Sequence, residues 1–197
     1  MPKIPRLLPR PILSVLPVLP VLLACGSSRG PGNADPATAT LGTLALDSVY
    51  QIETTGSPPG DTTLALTAGT PRVLLLDHGP PANVLFAEIR FDTAAFQAPA
   101  GSSVQVTVRP RPGTYGVTIE SSAPLRDAEL TFKYAVHFLA PADARSRYGN
   151  DIAVERALGI GRLQGDSVVF LPTTHPATDN LRATLPSAGT YLTAAPR

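Results

Sequence analysis

The sequence predicts an all-β protein: an antiparallel β-sandwich of about ten strands, preceded by a signal peptide and a disordered tether. Two observations carry this prediction. Apolar and polar residues alternate along one short segment after another, as they do in strands with one buried face. The prolines and glycines that follow residue 43 fall mostly between those segments, where they are typical of turns. We therefore divide the chain into a signal peptide (1–24), a cysteine with a flexible tether (25–43) and a single sandwich domain (44–197).

Residues 1–24 have the composition of a secretory signal peptide. Three basic residues precede an apolar run, Ile12–Leu23, which is shorter than the roughly 20 residues that a membrane-spanning helix needs. The run leads into the tetrad Leu22-Leu23-Ala24-Cys25, which contains the only cysteine of the chain.

This tetrad resembles the lipobox of bacterial lipoproteins, in which Leu22, Leu23 and Ala24 would precede an acylated cysteine that becomes the first residue after cleavage. The resemblance implies that Cys25 carries the lipid and that acyl chains hold the protein on a membrane of the bacterial cell envelope. Gly26 stands where an aspartate would imply inner-membrane retention, so the resemblance points to the outer membrane. An ordinary signal peptide cut near Ala24, or an uncleaved apolar segment with an incidental cysteine, stays open as an alternative.

The segment Gly26–Thr40 consists largely of small and polar residues, and it predicts a flexible tether with a reach of about 20 Å. Within it, Gly26–Gly30 matches the G-x-S-x-G pattern of the hydrolase nucleophile elbow. That elbow requires a strand before the serine and a helix after it, and neither is predicted here. We therefore predict no catalytic site in the tether.

The charge of the chain argues against nucleic acid as a partner. The formal net charge is +1, and residues 1–24 contain three basic residues and no acidic one. After their removal acidic residues outnumber basic ones, so no basic stripe remains to displace counterions from phosphates. With Cys25 acylated no thiol is left for a disulfide, and the fold must be held by burial alone.

In the first half of the domain we predict four strands and two turns. The strands are Leu44–Glu53, Thr62–Thr67, Arg72–Asp77 and Asn83–Phe91, and the turns are Thr54–Asp61 and His78–Ala82. The fourth strand is typical, because Leu85, Ala87 and Ile89 share one side. The run Val73–Leu76 in the third strand lacks alternation, which favours a strand covered on both faces or one that switches sheets.

The central strands alternate most regularly. They are predicted at Ser103–Arg109, Thr114–Glu120 and Ala128–Leu139. In the last of these, Leu130, Phe132 and Tyr134 share one face, whereas Lys133 and His137 lie on the opposite, exposed face. A helix would scatter these residues around its circumference, so the pattern indicates a half-buried strand.

The last part of the domain mixes a helical turn with further strands. The helical turn is predicted at Ala142–Tyr148, because Asp143 suits the first turn of a helix and Gly149 suits its end. The strands are predicted at Ile152–Leu158, Ser167–Leu171, Arg182–Leu185 and Thr190–Ala194, and the first two are joined by a glycine-rich connection at Gly159–Gly165.

Four elements of the domain follow one another in a recognisable order, with the strand Thr114–Glu120 between the third and the fourth. They are an apolar strand, an Ala/Pro/Gly turn, a β-branched strand and a long strand, at Asn83–Phe91, Ala98–Gly101, Ser103–Arg109 and Ala128–Leu139. Further on, Phe170-Leu171-Pro172 ends a strand, Asp179-Asn180 forms a turn and Tyr191 lies in the last strand. Together these features, over roughly Leu85–Ala194, resemble the sandwich domain shared by ankyrins, netrin receptors and zonula occludens proteins. The resemblance implies a scaffold for contacts that carries no catalytic residue.

A repeated tripeptide and a possible catalytic group are the main candidates for chemistry. Gly113-Thr114-Tyr115 and Gly189-Thr190-Tyr191 each lead a turn into a strand, and we predict that both tyrosines pack inward and bond the backbone through their hydroxyls. Ser167 would form a hydrolytic site only if it met His78 or His175 and a carboxylate. We expect solvated turns instead, and therefore no catalytic residue.

Metal binding is weakly indicated by the sequence. The three histidines lie far apart and no cysteine remains for a zinc site with recognisable ligand spacing. Asp143, Asn150 and Asp151 have the hard oxygen atoms that calcium prefers, although such loops are usually only turns. We predict no metal ligand and no cofactor.

These observations predict a non-catalytic, membrane-anchored lipoprotein whose β-sandwich contacts an unidentified envelope protein or polysaccharide. Two alternatives remain open. A carbohydrate-binding module would need a shelf of exposed aromatic side chains, whereas most of the five tyrosines and six phenylalanines lie on predicted core faces. A periplasmic hydrolase would need Ser167 to lie within hydrogen-bond reach of His78 or His175.

Overall fold

The computed structural model describes residues 42–134 and 138–197. This part of the chain forms two large antiparallel β-sheets packed as a sandwich and a separate two-stranded sheet, which confirms the predicted fold class. The strands of the first half are β1 (Thr43–Ala45), β2 (Val49–Gln51), β3 (Glu53–Thr54), β4 (Thr62–Thr67), β5 (Arg72–Asp77), β6 (Leu85–Phe91), β7 (Ser103–Pro110) and β8 (Gly116–Ser121). Those of the second half are β9 (Ala128–Lys133), β10 (Phe138–Leu139), β11 (Gly159–Gln164), β12 (Ser167–Phe170), β13 (Thr173–Ala177), β14 (Asn180–Leu185) and β15 (Gly189–Pro196).

Three short helical segments accompany the strands. A 3₁₀ turn covers Leu46–Ser48, and two α-helices, α1 and α2, cover Ala142–Tyr148 and Asp151–Ala157. The helix α1 matches the predicted helical turn. It ends at Gly149, whose φ of 89° is a left-handed conformation that glycine adopts without strain.

The strand order defines the two layers of the sandwich. The larger sheet has the order β1-β12-β11-β15-β8-β7-β4, and β2 also pairs with β15. The smaller sheet has the order β13-β14-β9-β6-β5, and β3 pairs separately with β10. Every strand pair of the described residues is antiparallel, so the sheets are built from hairpins and longer returns.

Aromatic residues from both sheets fill the main core. Phe86 of β6 stacks on Tyr115, with ring centroids 5.3 Å apart, and meets Phe132 of β9 edge-on at 5.8 Å. A smaller cluster consists of Val49, Val168, Phe170, Leu192 and Ala194. Tyr191 belongs to the main core and Leu192 to the smaller cluster, since successive side chains of a strand point to opposite faces.

The alternating segments are the ones that the sequence predicts best. β4 and β5 have the predicted bounds, and β7 extends the predicted strand by one residue. The strand count was underestimated, because the described residues contain fifteen strands rather than about ten. The predicted strand Leu44–Glu53 is divided by the 3₁₀ turn, and β13 was not predicted at all.

Two predictions near the end of the chain are wrong. The segment predicted as a strand at Ile152–Leu158 is the helix α2, which begins where the side chain of Asn150 accepts a hydrogen bond from the backbone N–H of Ala153 at 2.9 Å. The predicted connection Gly159–Gly165 is mostly the strand β11. Gly159 and Gly161 of this strand have to be glycines, because larger side chains of β12 lie across them.

The prediction for the apolar run of β5 is also wrong. Val73 is 48% exposed and Leu75 is 55% exposed, so one face of this strand is open to solvent rather than covered. β5 is the last strand of its sheet, and its run is apolar on both faces: Leu76 is buried on the inner face, whereas Val73 and Leu75 lie exposed on the outer face.

Candidate functional site

An open groove of about 790 Å³ lies beside the 3₁₀ turn and the start of α1. Its lining includes four carboxylate residues, one arginine and one tyrosine: Asp47, Glu53, Asp143, Asp166, Arg197 and Tyr50. This volume is within the range of roughly 300–1,000 Å³ that is usual for small-molecule sites. The groove is therefore large enough for a small ligand or for a few residues of another chain.

Pairing between distant strands creates the groove. β15 pairs with β2, and this register places Pro196 opposite Val49. The backbone N–H of Arg197 donates to the carbonyl of Ser48 at 2.8 Å, which holds the end of β15 against the 3₁₀ turn. The 3₁₀ turn is in turn tied to the β11–β12 hairpin, because Leu46 N–H donates to the carbonyl of Asp166 at 2.8 Å.

Arg197 makes the most contacts of the charged side chains in the groove. Its guanidinium carbon lies 4.6 Å from the centre of the Tyr50 ring, a cation–π contact. Its Nε donates to the carbonyl of Val49 at 3.1 Å, and its Nη1 donates to Asp143 Oδ2 at 3.2 Å. Arg197 thus connects β2, β15 and α1, and it occupies the accessible face of a tyrosine that is only 6% exposed.

The remaining carboxylates give the groove a surplus of negative charge. Asp47, Glu53 and Asp166 are exposed, and none of them forms an ion pair with a residue of 42–134 or 138–197. The Asp143 carboxylate is paired with Arg197. A groove with a surplus of one sign of charge attracts counter-charged groups and repels like-charged ones, so this groove disfavours polyanions.

The structure corrects the expectation for His78, which was predicted in a solvated turn. Its side chain is 2% exposed, and Nδ1 lies 3.0 Å from the carbonyl oxygen of Ser57. The ring meets Phe86 edge-on at 5.1 Å and Tyr115 at 6.0 Å, so it belongs to the aromatic core. A buried ring in this position is not presented to a solvent-borne substrate.

The other members of the possible hydrolytic group lie in different layers. Ser167 is at the start of β12 in the larger sheet, opposite Gln164 and Ala45. His175 is on β13, the edge strand of the smaller sheet. Partial burial lowers the pKa of His175, and a hydrogen bond with the backbone of Leu158 acts against that shift. Ser167 and His175 therefore lie on strands of different sheets.

Both tyrosines of the repeated tripeptide have the predicted structural role. Each is fully buried, and the Tyr115 hydroxyl donates to the carbonyl of Tyr134 at 3.1 Å. The Tyr191 hydroxyl donates to the carbonyl of Ser187. Burial is the main cause that raises the pKa of Tyr191 above its ordinary value.

The loop considered for calcium is mostly helical. Asn150 caps α2, Asp143 pairs with Arg197, and the carboxylate of Asp151 lies 4.0 Å from Arg145 Nε. Within the part of the chain that the structure describes, no group of three or more His, Cys, Asp or Glu residues is placed to hold a metal ion. The helices there are also too short or too polar to cross a bilayer.

Several predicted residues lie outside the described residues. They are the proposed lipid attachment site Cys25, the lipobox residues Leu22, Leu23 and Ala24, and the histidine His137. The expectations for a lipid anchor, a tether and an exposed His137 therefore stay predictions.

The described residues thus form a β-sandwich with an open groove whose lining carries a surplus of carboxylates. No protein-family model, no curated protein and no solved structure matches this chain.

Proposed function

We propose that this chain is a non-catalytic lipoprotein of the bacterial cell envelope, anchored through acylated Cys25, whose sandwich binds another envelope component in the groove. The observation that carries the binding part is the groove itself. It has the volume of a ligand site and three exposed carboxylates without an ion pair among the described residues. The lipobox resemblance supports the anchor.

The lining of the groove favours a protein partner over a polysaccharide. Acidic polysaccharides would be repelled by the surplus of carboxylates. A neutral saccharide would need an exposed aromatic ring on which to stack, whereas Tyr50 is 6% exposed and is covered by Arg197. A protein segment with basic side chains is not repelled by the carboxylates and needs no exposed aromatic ring, because its basic groups can pair with Asp47 and Asp166.

Charge reversal in the groove tests this proposal. We expect Asp47→Lys and Asp166→Lys each to reduce retention of the partner by about tenfold, since like charges at an interface lower both the association rate and the affinity. The measurement is a pull-down from envelope extract, including its polysaccharides, with the purified full chain as bait and quantified recovery of each specifically retained component.

Asp92→Lys is the matched control for this experiment. It makes the same charge change at an exposed aspartate that is not part of the groove lining. Retention that is equal in all four proteins, or no retention above that of an unrelated β-sandwich, would contradict the proposed binding role. A retained acidic or neutral polysaccharide would contradict the choice of partner.

Lipid attachment has a separate test. Growth with a labelled fatty acid should label the wild-type chain and leave Cys25→Ala unlabelled, because the chain has no other thiol to acylate. Cys25→Ser serves as a closer steric match. Equal labelling of the wild type and both variants would refute the anchor without affecting the argument for the groove.

A further inference from the structure

One arginine of the chain itself occupies a site in the groove that fits a guanidinium group. The guanidinium carbon of Arg197 lies 4.6 Å from the centre of the Tyr50 ring. Its Nε donates to the carbonyl of Val49 at 3.1 Å, and its Nη1 donates to Asp143 Oδ2 at 3.2 Å. An aromatic face, a carbonyl oxygen and a carboxylate thus surround one planar cation, an arrangement that suits arginine better than lysine.

The side chain of Arg197 is held by contacts that lie at the surface. It is 49% exposed and the side chain of Asp143 is 56% exposed, so water and salt screen the ion pair between them. The backbone is fixed separately, because Arg197 N–H donates to the carbonyl of Ser48 at 2.8 Å and Pro196 pairs with Val49. The side chain can therefore leave the site by rotation about its own bonds, without separating β15 from β2.

The groups that Arg197 contacts select another guanidinium as its replacement. If Arg197 leaves, Asp143 and the Val49 carbonyl lose a donor, and the Tyr50 ring is uncovered. An arginine of another protein restores the charge, both hydrogen bonds and the ring contact, because it brings the same planar group. A lysine restores the charge without the planar fork, and a neutral saccharide leaves the carboxylate without its counter-ion.

The charges beside this site favour the approach of a basic segment. Asp47 and Asp166 line the same groove, and neither forms an ion pair within the described part of the chain. Exchange of one arginine for another adds little affinity by itself. The affinity for a partner therefore comes from further basic side chains that pair with these two carboxylates.

We propose that Arg197 is an internal competitor in the groove, and that the partner protein binds by placing one of its own arginines between the Tyr50 ring and Asp143 in place of Arg197. This inference rests on the proposed function, since it takes the groove as the binding site, and it adds the group that the groove recognises. A ligand that needs a vacant site binds more weakly in proportion to the fraction of time that the site is vacant. With Arg197 in place about nine tenths of the time, its removal should strengthen the binding of an arginine by about tenfold.

Titration of the purified full chain with three short peptides tests this inference. The peptides have blocked ends and the sequences glycine-arginine-glycine, glycine-lysine-glycine and glycine-citrulline-glycine, since citrulline has the shape of arginine without its charge. Backbone amide NMR shifts give the affinities, and a Cys25→Ala background excludes effects of acyl chains. We expect the arginine peptide to bind Arg197→Ala about tenfold more tightly than the wild type, whereas the lysine and citrulline peptides should gain little.

Three further variants separate the site from the overall charge. Arg197→Lys keeps the net charge of the groove but loses the planar fork, so it should also bind the arginine peptide more tightly, and it carries the comparison if Arg197→Ala does not fold. Asp143→Asn, added to Arg197→Ala, should reverse the gain. Arg72→Ala is the matched control at an exposed arginine of β5 outside the groove lining, and it should bind like the wild type.

Equal binding of the arginine peptide to the wild type and to both Arg197 variants would overturn the inference. An equal gain for the lysine or citrulline peptide, or a gain that Asp143→Asn leaves unchanged, would also overturn it. The pull-down repeated with Arg197→Ala as bait keeps the two proposals apart. An arginine-selective gain without any retained envelope protein contradicts the proposed function alone, whereas an envelope protein retained equally by Arg197→Ala and the wild type contradicts this inference alone.

Discussion

Replacing Phe86 by alanine is expected to lower the free energy of unfolding by about 3–5 kcal/mol, the range typical of a buried phenylalanine reduced to alanine. Phe86 is fully buried between the two sheets, where its ring contacts Tyr115, Phe132 and His78. Aromatic pairs of this kind contribute about 0.5–1.5 kcal/mol beyond the buried area, so the loss should fall in the upper part of the range.

Equilibrium urea unfolding of the full chain, followed by tyrosine fluorescence because the chain has no tryptophan, measures this loss. Phe86→Leu should lose less, because it keeps most of the buried volume. Ile152→Ala is the surface control, since Ile152 is 63% exposed and should change the stability by less than about 0.5 kcal/mol. Equal midpoints for Phe86→Ala and Ile152→Ala would show that the aromatic cluster is not the core of the fold.

The parts of the fold that sequence reasoning predicts well are strands with one buried face. In β7 the residues Val104, Val106 and Val108 are buried, whereas Gln105 is exposed. The alternation of apolar and polar residues in the sequence therefore predicts which side chains are buried. β4 has the predicted bounds for the same reason. Where burial alternates, the sequence specifies both the strand and the face that it turns inward.

Short segments near the second helix show where this reasoning fails. Ile152 and Val154 are two positions apart, a spacing that fits the same face of a strand, yet in α2 Val154 is buried and Ile152 is 63% exposed. A stretch of seven residues is too short for helical and strand periodicity to be told apart. The capping side chain of Asn150, which starts the helix, was the available signal.

The groove could not be predicted because its residues come from distant parts of the chain. The pairing of β2 with β15 brings Tyr50 and Arg197 together, and the position of α1 next to Arg197 adds Asp143. No local sequence pattern predicts the cation–π contact between Tyr50 of β2 and Arg197, which follows β15. Strand order and register, which depend on the complete core, decide which charges share a surface.

The glycines of β11 are a third feature that the sequence alone does not predict correctly, because the reason for them lies in the neighbouring strand β12. Gly159 and Gly161 suggest a turn when only the sequence is considered. In the structure, a Cβ on Gly159 would lie 3.1 Å from the ring of Phe170, and one on Gly161 would meet a methyl group of Val168 well inside the 3.0 Å limit for such contacts. Glycine is therefore present so that β12 can place larger side chains across β11.

Gly161→Ala is accordingly expected to destabilise the protein by about 1–3 kcal/mol, the usual cost of overpacking a filled core. The cost arises from collision with Val168, since the backbone of Gly161 does not have a positive φ that would itself exclude alanine. Gly60→Ala is the matched control, because no atom lies within 4 Å of the place that its Cβ would occupy and its φ is also ordinary. That variant should be neutral within about 0.5 kcal/mol.

A second substitution shows whether the collision is the cause. Val168→Ala alone should lower the free energy of unfolding by about 2 kcal/mol through lost burial. In combination with Gly161→Ala, however, it also removes the Val168 methyl group with which the new Cβ at position 161 would collide. We therefore expect the double variant to be more stable than the sum of the single losses predicts, with a coupling of about 1–2 kcal/mol in a double-mutant cycle of urea unfolding. Strictly additive losses would mean that Gly161 is needed for a reason other than the space occupied by Val168.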